Sequence, residues 1–227
     1  MMRAVTRPHP ILRGGTGTRF LSLTAALLLY GWGELLTVRA DVGLGPWDVL
    51  HQAISDHTGW SFGVAAVSVS FAVLLLAAVL GERPGLGTLM NAVIVGSSFD
   101  VFDRLNLAPN PHGGMGGVAL DVAGIAVIGL ASALYIGANF GAGPRDSLML
   151  AIVHRGPRIA VASWAIQIAA LSVGFALGGP VGIGTALFAL GLGPCIEAAY
   201  VVLVRSGVTR PVPAHSNAAL SPVVGAT

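Results

Sequence analysis

Lysine is missing altogether, and the 12 basic residues are all arginine. That absence removes the phosphate loop, whose lysine must contact the phosphates. The arginines are scattered rather than clustered, so no nucleic-acid surface is expected. Cysteine occurs once, as Cys195, and no intrachain disulfide can form. Charged residues are 10% of the chain, against about 25% in a soluble domain, which excludes an ordinary soluble globular body. Enzyme signatures are missing too: there is no His-Glu-x-x-His, no Gly-x-Ser-x-Gly and no cysteine pair. The chain is therefore not expected to be an enzyme, and no catalytic residue, metal or cofactor is expected. His51 and His57 share a predicted short helix with Asp48 and Asp56, but a metal site needs more ligands at defined geometry.

What the chain has is apolar length. It is 54% hydrophobic, with 32 glycines that suit close helix packing in lipid. Six apolar runs, 20–38, 62–80, 86–102, 118–136, 159–177 and 185–204, are each long enough to cross the roughly 30 Å hydrocarbon core as a helix. Two further predicted helices, 46–57 and 144–155, are too short to span.

The chain also says nearly the same thing twice. Gly43-Leu-Gly-Pro-Trp-Asp48 returns as Gly141-Ala-Gly-Pro-Arg-Asp146. Leu50, Ala53 and Ile54 then meet Leu148, Ala151 and Ile152. After a one-residue slip, Gly85, Gly87, Thr88 and Ala92 meet Gly182, Gly184, Thr185 and Ala189, and Asp100 meets an acid, Glu197. Each half holds three predicted spans, an odd number, so the second half enters the membrane from the opposite side. The fold expected is an all-α integral membrane protein of six transmembrane helices in two inverted three-helix repeats, about 19–104 and 117–205. Residues 19–207 form a single transmembrane domain, and each repeat carries a short non-spanning helix after its Gly-x-Gly-Pro-x-Asp turn.

Arginine placement sets the orientation. With the N-terminus in the cytoplasm, ten arginines face inside and only Arg39 and Arg104 face outside. Six of the ten lie in the tails, so the loops alone count four against two. Residues 1–18 and 208–227, without periodicity, are expected to be flexible cytoplasmic tails. The first 40 residues superficially resemble a signal peptide, but the apolar run is long, contains Glu34, and is needed as the partner of 118–136. It is expected to be retained, in the bacterial plasma membrane.

The repeated motif starts a helix. Gly45 and Gly143 can serve as N-cap, Pro46 and Pro144 sit at N1, and Asp48 and Asp146 face the free amides of the first turn. One reading is a helix start at the membrane surface, with Trp47 as an interfacial anchor. The other is a re-entrant helix whose positive end lies near mid-membrane, where an anion or polar solute can dock. Two such elements from opposite faces would resemble aquaporin-like construction, by analogy only. Gly43, Gly45, Pro46, Asp48, Gly141, Gly143, Pro144, Arg145 and Asp146 are the candidate substrate-binding residues.

Three acids are candidates for proton or ion coupling. Glu34 lies inside the first span, where a carboxylate is costly; it either faces a cavity or pairs with Arg39. Asp100 lies near the outer end of the third span. Glu197 lies deeper in the sixth, beside Gly191, Gly193 and Pro194, which suggest a broken or kinked helix. Asp103 and Asp121 lie close to predicted helix ends and are expected to be solvated.

The stretches 43–52 and 141–150 resemble the YczE branch of the YczE/YyaS/YitT family of bacterial integral membrane proteins. The resemblance covers roughly residues 20–205 and rests on two motifs in the right order. It implies a multi-pass plasma-membrane protein and carries over no substrate and no site residue. Ser147 departs from it, standing where a further glycine is expected. The function expected is transport of a small polar or anionic solute. The alternative is an accessory membrane protein that supports a partner complex, with intramembrane catalysis third. Membrane lipid, the solute, and a second copy or partner protein are the interactions envisaged.

Overall fold

A computed structural model describes residues 11–210; the remainder of both expected tails lies outside the described residues. Within them the chain forms eight helices: α1 (Thr16–Arg39), α2 (Pro46–Thr58), α3 (Phe62–Val79), α4 (Leu86–Arg104), α5 (Gly114–Ala138), α6 (Pro144–Val153), α7 (Ile159–Ala176) and α8 (Ile183–Arg205). Two-residue strands, β1 (Ile11–Leu12) and β2 (Thr209–Arg210), pair antiparallel. These residues fall within the expected flexible tails, and the ladder brings the two ends of the described chain together.

Five helices, α1, α3, α5, α7 and α8, are long and apolar enough to cross a membrane. The expected third span forms α4, 19 residues long, but it is not among the five. Its sequence explains this, because Asn91, Ser97, Ser98, Asp100 and Asp103 interrupt the apolar run. Its ends are nevertheless fixed at opposite ends of the bundle. At its start, Gly87 N–H donates to Phe140 O at 2.9 Å, just past the end of α5. At its finish, Asp103 takes Arg39 from the end of α1 at 2.6 Å. Arg19, near the start of α1, donates to Ala138 O at the end of α5. So α1 and α4 run in the same direction, both opposed to α5.

The helices pack in matched pairs. α1 lies on α4 as α5 lies on α8; α2 lies on α7 as α3 lies on α6; and α2–α3 is repeated by α6–α7. The two glycine turns are held the same way, each by the other half. Gly184 N–H donates to Val42 O at 2.8 Å, as Gly87 does to Phe140 O. Thr88 and Thr185 accept from the N–H of Gly85 and Gly182 at 3.1 and 3.2 Å. Gly43 (φ +106) has no room for a side chain, since a Cβ would overlap the backbone N of Gly182 and lie 2.6 Å from its Cα.

One pair breaks the pattern. α3 and α4 pack closely, with Gly63 against Gly96 and Asp100 accepting from Ser61 Oγ and from Gly63 N–H. Their counterparts α7 and α8 do not pack comparably, and Glu197, the counterpart of Asp100, is exposed. The helix α8 also continues through Pro194 and is not broken there.

A candidate cavity between the two halves

Helix α1 is drawn inward by its small residues. Gly31 lies against Val95 and Ser98 of α4, and Gly33 against Ile128 of α5, too close for any side chain. Glu34, the next residue on this face, is thereby buried, only 2% exposed. Tyr30, one helical turn earlier, lies on the same face, and both line a cavity of about 400 Å³.

The short helices bring the rest. Both start as their residues require: Gly45 and Gly143 are N-caps, each followed by Pro at N1, with Asp48 and Asp146 in the first turn. Asp48 (1% exposed) and His51 (2% exposed), three residues apart on α2, meet at 3.4 Å. From α6, Arg145 extends across to the other half. Its Nη2 lies 3.8 Å from Glu34 Oε1 and 3.7 Å from Asp48 Oδ1, with its guanidinium carbon 5.1 Å from the Trp47 ring centroid. Tyr135 O–H donates to Asp146 Oδ2 at 2.9 Å. Counting histidine as neutral, three carboxylates face one guanidinium. Glu34 Oε2, Asp48 Oδ1 and His51 Nδ1 are buried without a hydrogen-bond partner.

The cavity draws on matched positions of the two halves. Trp47 and Arg145, His51 and Met149, and Asn91 and Phe188 all line it. The chemistry of each pair has diverged: Trp47, His51 and Asn91 of the first half stand where the second has Arg145, Met149 and Phe188.

The expected site residues divide accordingly. Pro46, Gly143, Pro144, Arg145, Asp146 and Glu34 line the cavity, and Asp48 is tied to it through Arg145. Gly45 packs against Phe188 and Asp48. Gly43 and Gly141 do not line it; they seat the turns against Gly182 and against Gly85 and Thr88. Asp100 ties α3 to α4, and Glu197 points away from the bundle, so neither stands at the cavity. Glu34 pairs with Arg145 rather than Arg39, because Arg39 is engaged by Asp103.

Two further expectations are corrected. Trp47 is no surface anchor but is buried beneath Arg145 and packed with Val73, Ala77 and Leu148. Asp121 is buried, not solvated, since α5 starts at Gly114 and places it two turns in; Asp103 remains partly exposed in its ion pair. Tyr30, His51 and Asn91 were not singled out as site residues. The spacings Tyr30–Glu34 and Asp48–His51 point to them, as does a lone amide in an apolar run.

The comparisons with known proteins agree with the membrane character. A family of unknown function, DUF6198, matches residues 17–200. The chain is 35% identical over 184 residues to an uncharacterized protein of Haemophilus influenzae, covering 81% of this chain and 84% of the relative. It is 31% identical over 173 residues to the uncharacterized membrane protein YczE of Bacillus subtilis, covering 73% and 78%. The protein YyaS of the same organism is 28% identical over 174 residues, covering 74% and 86%. No solved structure matches. With five apolar helices of spanning length, the chain is a multi-pass helical membrane protein.

Proposed function

Because the chain belongs to the DUF6198 family of unknown function, its role must be argued from its own cavity, and we propose that it is a plasma-membrane carrier or permease for a small polar solute. The observation that carries this reading is the cavity itself, lined by matched positions of two related halves. Carriers built from inverted repeats hold their sites at such a boundary, near helices that stop short of spanning.

The reading takes six passes, with α4 as the sixth, and an inverted arrangement with both termini in the cytoplasm. Three observations support it. The strand pairing β1–β2 brings the two ends of the described chain together on one face, and that calls for an even number of passes. The ends of α4 lie at opposite ends of the bundle. The first turns of α2 and α6 follow turns at opposite ends, yet Asp48 and Arg145 meet, which favours re-entrant over interfacial helices. Polar residues of α4 such as Asn91 then face the cavity rather than lipid.

An anionic solute fits this cavity poorly, because the carboxylates outnumber the guanidinium. A non-transporting accessory role is the second reading, and it is favoured by the sparse burial of α7 and α8, which leaves apolar surface for lipid, a second copy or a partner.

Cysteine accessibility through 43–52 and 141–150, after Cys195→Ser, tests the arrangement. The expected result is labelling of the first stretch from outside and the second from inside. Labelling of both from one face removes the inverted arrangement. Flux of neutral, cationic and anionic solutes in proteoliposomes tests transport. Flux unaffected by Asp48→Ala with Asp146→Ala, or absent for every class, removes the carrier reading.

A further inference from the structure

The cavity already holds a cation, and that cation is tethered loosely. The Arg145 guanidinium sits between Glu34 and Asp48 at 3.8 and 3.7 Å, beyond ordinary hydrogen-bond distance. A well-made arginine–carboxylate pair is shorter and often bidentate. Beneath it lies the face of Trp47, a surface that attracts cations through its ring quadrupole. Around it Glu34 Oε2 is buried with no hydrogen-bond partner, and Asp48 Oδ1 and His51 Nδ1, also buried, face each other at 3.4 Å without a well-formed hydrogen bond. Both carboxylate oxygens only accept hydrogen bonds; His51 Nδ1 can serve Asp48 weakly when it carries the proton, and nothing serves Glu34 Oε2. Buried acceptors left in this state are costly, and a ligand rich in N–H donors relieves the cost.

Deepening the carrier reading and resting on it, we propose that the cavity binds a small organic cation of the guanidinium or primary ammonium class in the place the Arg145 guanidinium occupies. Arg145 is then a built-in competitor that holds the site between turnovers and withdraws when the solute enters. An inorganic divalent ion fits less well, since calcium and magnesium call for a shell of about six oxygens, whereas here two carboxylates stand against an aromatic face. The volume, about 400 Å³, lies within the range of small-molecule pockets.

The arrangement explains why the matched positions Trp47 and Arg145 differ. One half supplies the acids and the ring that recognise a cation; the other supplies the cation that stands in for it.

Isothermal titration of the full chain in lipid nanodiscs tests the proposal, with methylguanidinium and n-propylammonium chlorides as probes. Urea and sodium acetate serve as neutral and anionic controls at matched ionic strength. The cations are expected to bind, and the controls are not. Glu34→Gln with Asp48→Asn keeps shape but removes charge, and is expected to raise Kd at least about tenfold, the equivalent of losing one charge-assisted hydrogen bond. Arg145→Gln removes the competitor and is expected to lower Kd several-fold. The proposal is overturned if neither cation binds, if the double variant binds as the parent does, or if Arg145→Gln leaves Kd unchanged or raises it. Should the double variant fail to fold, Arg145→Gln alone decides. Uptake of labelled methylguanidine into proteoliposomes separates the two claims. Flux of a neutral or anionic solute without cation binding refutes this inference and spares the carrier reading. Cation binding without flux of anything does the reverse.

Discussion

Replacing Gly43 with alanine should damage the protein more than its position in a short connection suggests. Two costs combine. At φ +106 a side chain adopts a sparsely populated backbone conformation, worth about 1–3 kcal/mol. The new Cβ also meets the backbone of Gly182 rather than a side chain that can turn away. The start of α8 must retreat, and the 2.8 Å bond from Gly184 N–H to Val42 O is strained or lost, at about 1 kcal/mol. The total is about 3 kcal/mol, a fall in melting temperature on the order of 10 °C for a chain of this size. Gly59→Ala is the control. Its φ is +72 and nothing lies within 4 Å of the added carbon, so only about 1–2 kcal/mol of backbone strain applies. Gly141→Ala should fall between, because there the nearest atom is Thr88 Oγ1 at 2.8 Å, a group that can turn at the cost of its own cap. Melting curves of purified protein in one detergent, read by size-exclusion recovery, check the order. A Gly43→Ala protein that melts no lower than Gly59→Ala would refute the claim that the turn is clamped by the other half.

Arg145→Ala should cost about 3 kcal/mol, since it strands two buried carboxylates, Glu34 and Asp48, although Arg145 itself is partly exposed, and adding Glu34→Gln and Asp48→Asn should recover much of it; a triple variant less stable than Arg145→Ala would count against the charge argument. Arg39→Ala should cost under about 1 kcal/mol, because that pair lies partly exposed at the rim, as thermal melts will show. Glu197→Gln should leave methylguanidinium affinity unchanged within twofold, because Glu197 stands outside the cavity; a larger change by titration would place it in the site.

Much of the local structure was legible from residue type and spacing. Glycine at N-cap, proline at N1 and aspartate in the first turn began α2 and α6 at the expected residues, because those preferences act within one turn. Glu34 stood out because a carboxylate in an apolar run must find a partner. Its partner did not stand out, since Arg145 is distant in the chain and Arg39 is near. The same blindness misplaced Asp121 and Trp47: their burial is set by which helix lies opposite, and no local pattern records that. Asp100 and Glu197 look equivalent in the repeat, yet only Asp100 is gripped, because α3 packs on α4 while α7 and α8 stay apart.

Composition and periodicity alone determined that this is a helical membrane chain with a duplicated motif, because apolar length and helix-start chemistry are short-range properties. Only the tertiary structure decided where the charges meet. It placed two acids and a tryptophan of one half around an arginine of the other, an encounter that depends on packing across the bundle rather than on any stretch of chain.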